Sequence, residues 1–138
     1  MLLSDNVKQQ IIDEYNNWFD SQYGDKSLEE RKQLDAFFTP PEITIQMLEQ
    51  YTAGIKNITI LDPSCGTGNL LVACIIAGAN PDNIYGIELD ETFANICKQR
   101  LSKYNVPEDH IIVGDATQSC NYVKSSKDVK KYKPVDLW

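Results

Sequence analysis

The chain has one histidine, His110, and four cysteines, Cys65, Cys74, Cys97 and Cys120, with no Cys-x-x-Cys pair among them. A zinc centre needs clustered Cys and His ligands, so the sequence excludes that chemistry. Long apolar runs are lacking too. The strongest, residues 70–79, is too short to span a bilayer. The opening MLLSDNVKQQ has no basic stretch leading into an apolar one and does not read as a secretory signal. A cytoplasmic location with reduced cysteines is the resulting expectation. Basic residues are scarce, 13 against 20 acidic, for a net charge of −7. A surface built to neutralise phosphates carries the opposite balance. Five lysines do gather late (Lys124, Lys127, Lys130, Lys131 and Lys133), and they read as a solvated loop. Repeats and low-complexity tracts are absent. What is there is 138 residues, 42% hydrophobic and 24% charged, enough for one compact domain and not two.

The pattern divides into a helical front, residues 1–54, and an alternating back, residues 55–138. Val7, Ile11, Tyr15, Trp18 and Phe19 fall on one helical face. A polar break from Ser21 to Lys26 ends that helix, and Ser27-Leu28-Glu29-Glu30 has the form of a capping box opening another. In Phe38-Thr39-Pro40-Pro41-Glu42, Thr39 is placed to cap a third helix. Pro40 suits its first turn, Glu42 can reach back to the Thr39 amide, and Phe38 can staple onto Ile43. This helix is expected to bury Met47, Leu48 and Tyr51 and to stop near Gly54.

In the back, the expected order is a strand over 58–61, a buried helix over 66–79, a strand over 83–89, a helix over 91–104 capped by Asp90, and a strand over 111–113. Strand–helix–strand–helix–strand with short links specifies a parallel α/β sheet. Ligands of such sheets bind at the carboxyl ends of the strands. The first strand runs into Asp62-Pro63-Ser64-Cys65-Gly66-Thr67-Gly68. Its two glycines permit a tight turn and close backbone approach to a ligand, at the positive end of the following helix. The second strand ends at Glu88-Leu89-Asp90. Glu88 lies twenty residues after Gly68, the usual distance for a carboxylate that grips a ribose. The third ends at Gly114-Asp115-Ala116. Any one of these carboxylates alone would read as a cap or a hydrated loop residue; three on successive strand ends around a glycine turn point to a site. A dinucleotide fits poorly. Leu71 stands where a third small residue is wanted, and Asp62 would repel a pyrophosphate. S-adenosylmethionine, with its ammonium, carboxylate, ribose and adenine, fits better.

These residues resemble the N6-adenine DNA methyltransferases of restriction–modification systems, and more narrowly the group that includes type I modification subunits. The resemblance runs from Ala36 to Ala116 and on toward the C-terminus. Phe37-Phe38-Thr39-Pro40-Pro41-Glu42 is similar to the family's Phe-Thr-Pro motif. Asp62 to Gly68, Ile87-Glu88-Leu89-Asp90 and Gly114-Asp115-Ala116 are similar to its three cofactor motifs. The implied fold is a Rossmann-like S-adenosylmethionine-dependent methyltransferase domain, here an incomplete parallel sheet with a helical N-terminal extension. The implied site is Phe38, Thr39, Asp62, Pro63, Gly66, Gly68, Glu88, Leu89, Asp115 and Ala116. In it Asp62 holds the methionine ammonium, Gly66 and Gly68 admit the methionine part, and Glu88 accepts from both ribose hydroxyls. Leu89 packs on the adenine, Asp115 takes its exocyclic amine, and Phe38 and Thr39 close over the methionine end. A ring face near a desolvated sulfonium is chemically apt, and the staple role of Phe38 is compatible with it.

The family's Asn-Pro-Pro-Tyr/Phe motif, which holds the target amine of a flipped adenine, is absent. Lys133-Pro134-Val135-Asp136-Leu137-Trp138 is similar to the run that precedes it. The expectation is therefore a cofactor-binding part that is inactive alone and meets DNA only through missing or partner segments. Its first strand, left at a sheet edge, would invite a partner chain or self-association. Two alternatives stand beside this one. The first is a non-catalytic module that regulates or decoys a restriction–modification complex. The second is a dinucleotide enzyme, disfavoured by Leu71 and Asp62. Protein glutamine and RNA adenine are other substrates of related enzymes; the Phe-Thr-Pro element favours DNA.

Overall fold

The computed structural model describes residues 2–36, 38–50 and 54–118. Phe37, Tyr51, Cys120, the late lysines and residues 133–138, all of which enter the expectations above, lie outside the described residues. The chain forms two compact units, Met1–Ala53 and Gly54–Trp138.

The first unit is helical. Helix α1 (Asp5–Tyr23) begins where the Ser4 hydroxyl accepts from the Val7 amide. It buries Ile11, Tyr15, Trp18 and Phe19, the expected face, with Val7 half-buried at its edge. Helix α2 (Leu28–Asp35) starts at the predicted box. Ser27 Oγ accepts from the Glu30 amide at 3.2 Å and donates to the Glu30 carboxylate at 2.9 Å, so the box closes through side chains. The Tyr15 hydroxyl donates to Asp35, and Arg31 pairs with Asp20 while lying 5.6 Å over the Phe19 ring.

Helix α3 (Pro41–Glu49) departs from expectation in several ways. It opens one residue later than expected, with Pro40 at the cap position and no side-chain cap. Thr39 is exposed and does not serve as that cap. Two consecutive prolines explain the shift. Pro41 restricts Pro40 to extended backbone (ψ 146°), and Pro41 itself, lacking an N–H, suits the first helical position. The staple does not form, because Ile43 is 44% exposed. Phe38 packs instead among aromatic rings, 5.3 Å from Trp18 and 6.1 Å from Tyr23. Leu48 is fully buried, but Met47 is exposed. Helices α1 and α3 are in contact. Glu49 ties them, accepting from the Leu3 amide at 3.1 Å and pairing with Lys8 at 3.4 Å.

The second unit is a three-stranded parallel sheet in the order β1 (Ile60–Asp62), β2 (Ile84–Glu88), β3 (Ile111–Val113). Helices α4 (Asn69–Ile76) and α5 (Glu91–Ser102) make the crossovers. Both crossovers step the same way across the sheet, which puts the two helices on one face, where they touch. The α/β class and incomplete Rossmann-like sheet are as expected. β1 is shorter at its start than expected, because Ile60 is the first residue with a partner, Ile84, on β2. Helix α4 starts at Asn69, not Gly66, since Gly66 and Gly68 have φ of +55° and +95°, outside the right-handed helical region. Helix α5 ends at Ser102, before Tyr104. Asn105 takes φ +68°, and the Val106 amide returns to Leu101 O at 3.2 Å. Ile60, Leu71, Ile84, Cys97 and Leu101 are fully buried in this core. Leu61, Tyr85, Ile87 and Ile112 cluster on the other side of the sheet, with Ala116 against them. No helix among the described residues is long and apolar enough to cross a membrane.

Phe38 locks the rings of α1, so Phe38→Ala is expected to cost the first unit roughly 3–5 kcal/mol. Urea unfolding followed by Trp18 fluorescence in a Trp138→Phe background measures it.

Candidate functional site

The sequence puts acidic residues at strand ends, and the parallel sheet gathers those ends on one rim. Asp62 stands opposite Gly86 on β2, and Glu88 opposite Val113 on β3. The Gly114 amide donates to Glu88 O at 2.9 Å, which fixes Asp115 just beyond the same rim. Between β1 and α4 the chain must reverse within a few residues. It does so as a turn in which the Cys65 amide donates to Ile87 O at 3.0 Å and the Gly68 amide to Cys65 O at 2.9 Å.

Glu88 is the centre of this arrangement. Its Oε1 accepts from the Gly66 amide at 2.9 Å and its Oε2 from the Asp90 amide at 2.7 Å. One carboxylate thus joins the end of β2, the glycine turn and the entry to α5. Asp62 turns its Oδ1 to the Ser64 amide, 3.0 Å away. Burial lifts its pKa above the ordinary value of 3.8, the Ser64 bond opposes this, and the nearby Glu88 charge adds to the rise. Asp115 is different. It is exposed, and its Oδ1 accepts from the Thr117 hydroxyl at 2.7 Å and the Thr117 amide at 2.9 Å. Those two bonds hold its pKa below the ordinary value. Pro63 is half-buried, Leu89 is 73% exposed beside Glu88, and Ala116 packs on the sheet.

The structure therefore brings Asp62, Gly66, Gly68 and Glu88 together, with Leu89 and Asp115 on the adjoining rim. Phe38 and Thr39 belong to the first unit, where Phe38 is in the aromatic cluster and Thr39 is exposed.

Packing explains the small residues. A Cβ on Gly68 would sit 3.0 Å from Cys97 Sγ on α5, and one on Gly86 would sit 2.9 Å from Cys65 Sγ and 3.0 Å from Leu71 Cδ1. At Gly66 a Cβ would meet nothing within 4 Å, so that side of the turn is open. The Cys65 thiol is kept protonated by a hydrogen bond shared with Cys97, by burial and by the adjacent carboxylates. Burial, with the Asp62 charge, pushes Cys74 up to about 12. Neither thiol has the character of a nucleophile. Among the described residues no cluster of His, Cys, Asp and Glu could hold a metal ion.

Sequence reasoning missed Arg100. This residue is 4% exposed in the last turn of α5, and its Nη1 donates to Thr67 O at 3.0 Å and Asn69 Oδ1 at 2.6 Å. The available signal was its spacing. Phe93, Ile96, Cys97 and Leu101 define the inward stripe of α5, and Arg100 is the charged residue on that stripe.

Chemically, the rim offers carboxylate acceptors, an open glycine backbone, the N-terminus of α4 and an exposed aliphatic side chain. Such a donor and acceptor set suits a ligand that carries a cation, a diol and a flat ring.

A family model described as N-6 DNA Methylase matches residues 7–131. The chain is 33% identical over 94 residues to the type II methyltransferase M.VspI of Vibrio sp. (strain 343), a match covering 67% of this chain and 23% of that protein. It is 32% identical over 80 residues to the modification methylase CviBIII of Paramecium bursaria Chlorella virus NC1A, covering 56% of this chain and 21% of that protein. The chain thus spans under a quarter of the length of the curated relatives it matches.

Two predictions arise from this geometry. Gly68→Ala should destabilise the second unit by about 1–3 kcal/mol, through the left-handed φ and the Cys97 contact, read as a lower midpoint in chemical denaturation. Asp62→Asn should do the opposite at neutral pH. With its folded pKa raised, Asp62 favours the folded state while protonated, and that contribution is lost as pH rises from 3.8 through the folded value. The variant is expected to have a higher thermal midpoint than wild type at pH 7, with the gap closing as the pH is lowered below that window.

Proposed function

The chain belongs to the N-6 DNA methylase family, and from that premise we propose that it is the S-adenosylmethionine-binding part of a DNA adenine-N6 methyltransferase. The observation that carries this assignment is the Glu88 carboxylate bonded to the Gly66 amide, with Asp62 close enough to feel its charge and an open face on Gly66. The residues fit the cofactor by the chemistry of that set. Asp62 would take the ammonium, directly or through water. The α4 N-terminus would favour the carboxylate. Glu88 would accept from the ribose hydroxyls with the lone pairs not used by the two amides, and exposed Leu89 would cover a face of the adenine. Asp115 would meet the adenine amine.

When bound, the cofactor supplies an electrophilic methyl group. The amine that receives it has to be presented by an Asn-Pro-Pro-Tyr-type motif, which these 138 residues do not contain. We therefore assign cofactor capture to this chain and target presentation to other segments. DNA contact is assigned to those segments as well, since a net charge of −7 repels phosphate. β1 is an outer strand among the described residues, and the edge there is the natural place for a further strand from such a segment or partner chain.

Calorimetric titration of S-adenosylmethionine into the 138-residue chain is expected to show micromolar binding. Asp62→Ala and Glu88→Ala should each weaken it by about tenfold or more. No methyl should reach an adenine-containing duplex unless a polypeptide carrying the Asn-Pro-Pro-Tyr motif is added. A wild-type chain that does not bind the cofactor overturns the assignment; stable capture of a restriction–modification enzyme by that same chain would then support a non-catalytic regulatory module.

A further inference from the structure

We propose that Arg100 is a positioning residue that holds the glycine turn and the start of α4 in the form that receives the amino-acid end of the cofactor. This proposal rests on the assignment of the turn as an S-adenosylmethionine site. Burying a guanidinium is costly unless its hydrogen bonds are well made. Arg100 makes two of them from one nitrogen, to Thr67 O at 3.0 Å and Asn69 Oδ1 at 2.6 Å, at 4% exposure. Those acceptors flank Gly68, the left-handed residue through which the turn becomes helix.

The bond to Asn69 has a second effect. Gly68 at the cap position has no side chain to occupy the first amides of α4, and the Asn69 oxygen beside it is a polar group able to turn onto neighbouring backbone. Held by Arg100, that oxygen is withdrawn from them, and the first N–H groups of α4 remain free to take a ligand carboxylate. The guanidinium also adds positive charge to the positive end of the helix.

Glu88, the residue assigned to the ribose, grips the turn at Gly66; Arg100 grips it at Thr67 and Asn69, beside the α4 N-terminus assigned to the ligand carboxylate. The two clamps should consequently act on different parts of the ligand. A residue that merely supports the fold would affect all parts alike.

The test compares two ligands that share the adenosine. S-adenosylhomocysteine has the amino-acid group; 5′-methylthioadenosine lacks it. Each is titrated calorimetrically into the 138-residue chain and into Arg100→Met and Arg100→Lys. Arg100→Met is expected to weaken S-adenosylhomocysteine about tenfold and to leave 5′-methylthioadenosine within about twofold, since a charge-assisted hydrogen-bond pair is lost only on one side of the site. Arg100→Lys should recover part of the loss. Glu88→Ala, as a control, should weaken both ligands. Equal weakening of both ligands by Arg100→Met, or no weakening of either, overturns the proposal. Should Arg100→Met not fold, Arg100→Lys carries the test, with the same selective loss expected in smaller measure. A wild-type chain that binds neither ligand refutes the cofactor assignment itself. Amide hydrogen exchange of ligand-free Arg100→Lys then decides the role of Arg100. Faster exchange confined to residues 66–72 supports the hold on the turn; unchanged exchange, or a change spread along α5, overturns it.

Discussion

The second unit depends on a backbone reversal through left-handed conformations that favour glycine. Between β1 and α4 the chain passes through two left-handed residues, Gly66 and Gly68. Such a segment has few intrinsic preferences to hold it. It is held from outside, by the Glu88 carboxylate at Gly66, by Ile87 O at Cys65 and by Arg100 at Thr67 and Asn69. The tethers come from β2 and α5, elements outside the turn itself. Local conformation here is a product of tertiary structure.

Close packing explains why the tethers reach. Glycine at 68 lets α5 approach until Cys97 Sγ lies 3.0 Å from where a Cβ would stand, and glycine at 86 admits Cys65 and Leu71 against the strand. The cysteines at these contacts act as small apolar groups, and their thiols stay protonated where the pKa is shifted. The same compactness puts Asp62 in a place that disfavours its charge, beside Glu88. A carboxylate kept at some cost to stability, on a rim of other carboxylates, is a usual mark of a site built to meet a cation.

Much of this was legible in the residues. Ser27 and Asp90 cap as their spacing requires, because capping is local. β3 spans the expected residues, since a short apolar run between turn signals has one way to lie in a parallel sheet. The gathering of the strand ends on one rim follows from the parallel direction of all three strands. Other features were illegible for a common reason. The start of α4 depends on φ signs that a glycine leaves open. The Pro40–Pro41 pair offered two proline positions for one helix start, and the second took it. Phe38 had a staple partner in sequence but better partners, Trp18 and Tyr23, in space. Arg100 is distant from the turn by more than thirty residues in the chain and adjacent to it in the fold. Pattern reports neighbours along a helix or strand; it does not report which long side chain crosses between elements.

The double engagement of Glu88 bears on how the proposed cofactor would be felt by the fold. A carboxylate has about four lone-pair positions, and two are taken by the Gly66 and Asp90 amides. Ribose hydroxyls would use the remaining ones, so ligand and backbone would share one acceptor without displacing each other. Each bond to that carboxylate restrains it, and a restrained carboxylate holds the turn more firmly. Binding at the ribose would therefore tighten the glycine turn, and a tightened turn would present a better ribose acceptor. Linkage makes these two statements the same free energy. The proposed site would thus be coupled to the order of the segment that forms it, through one side chain.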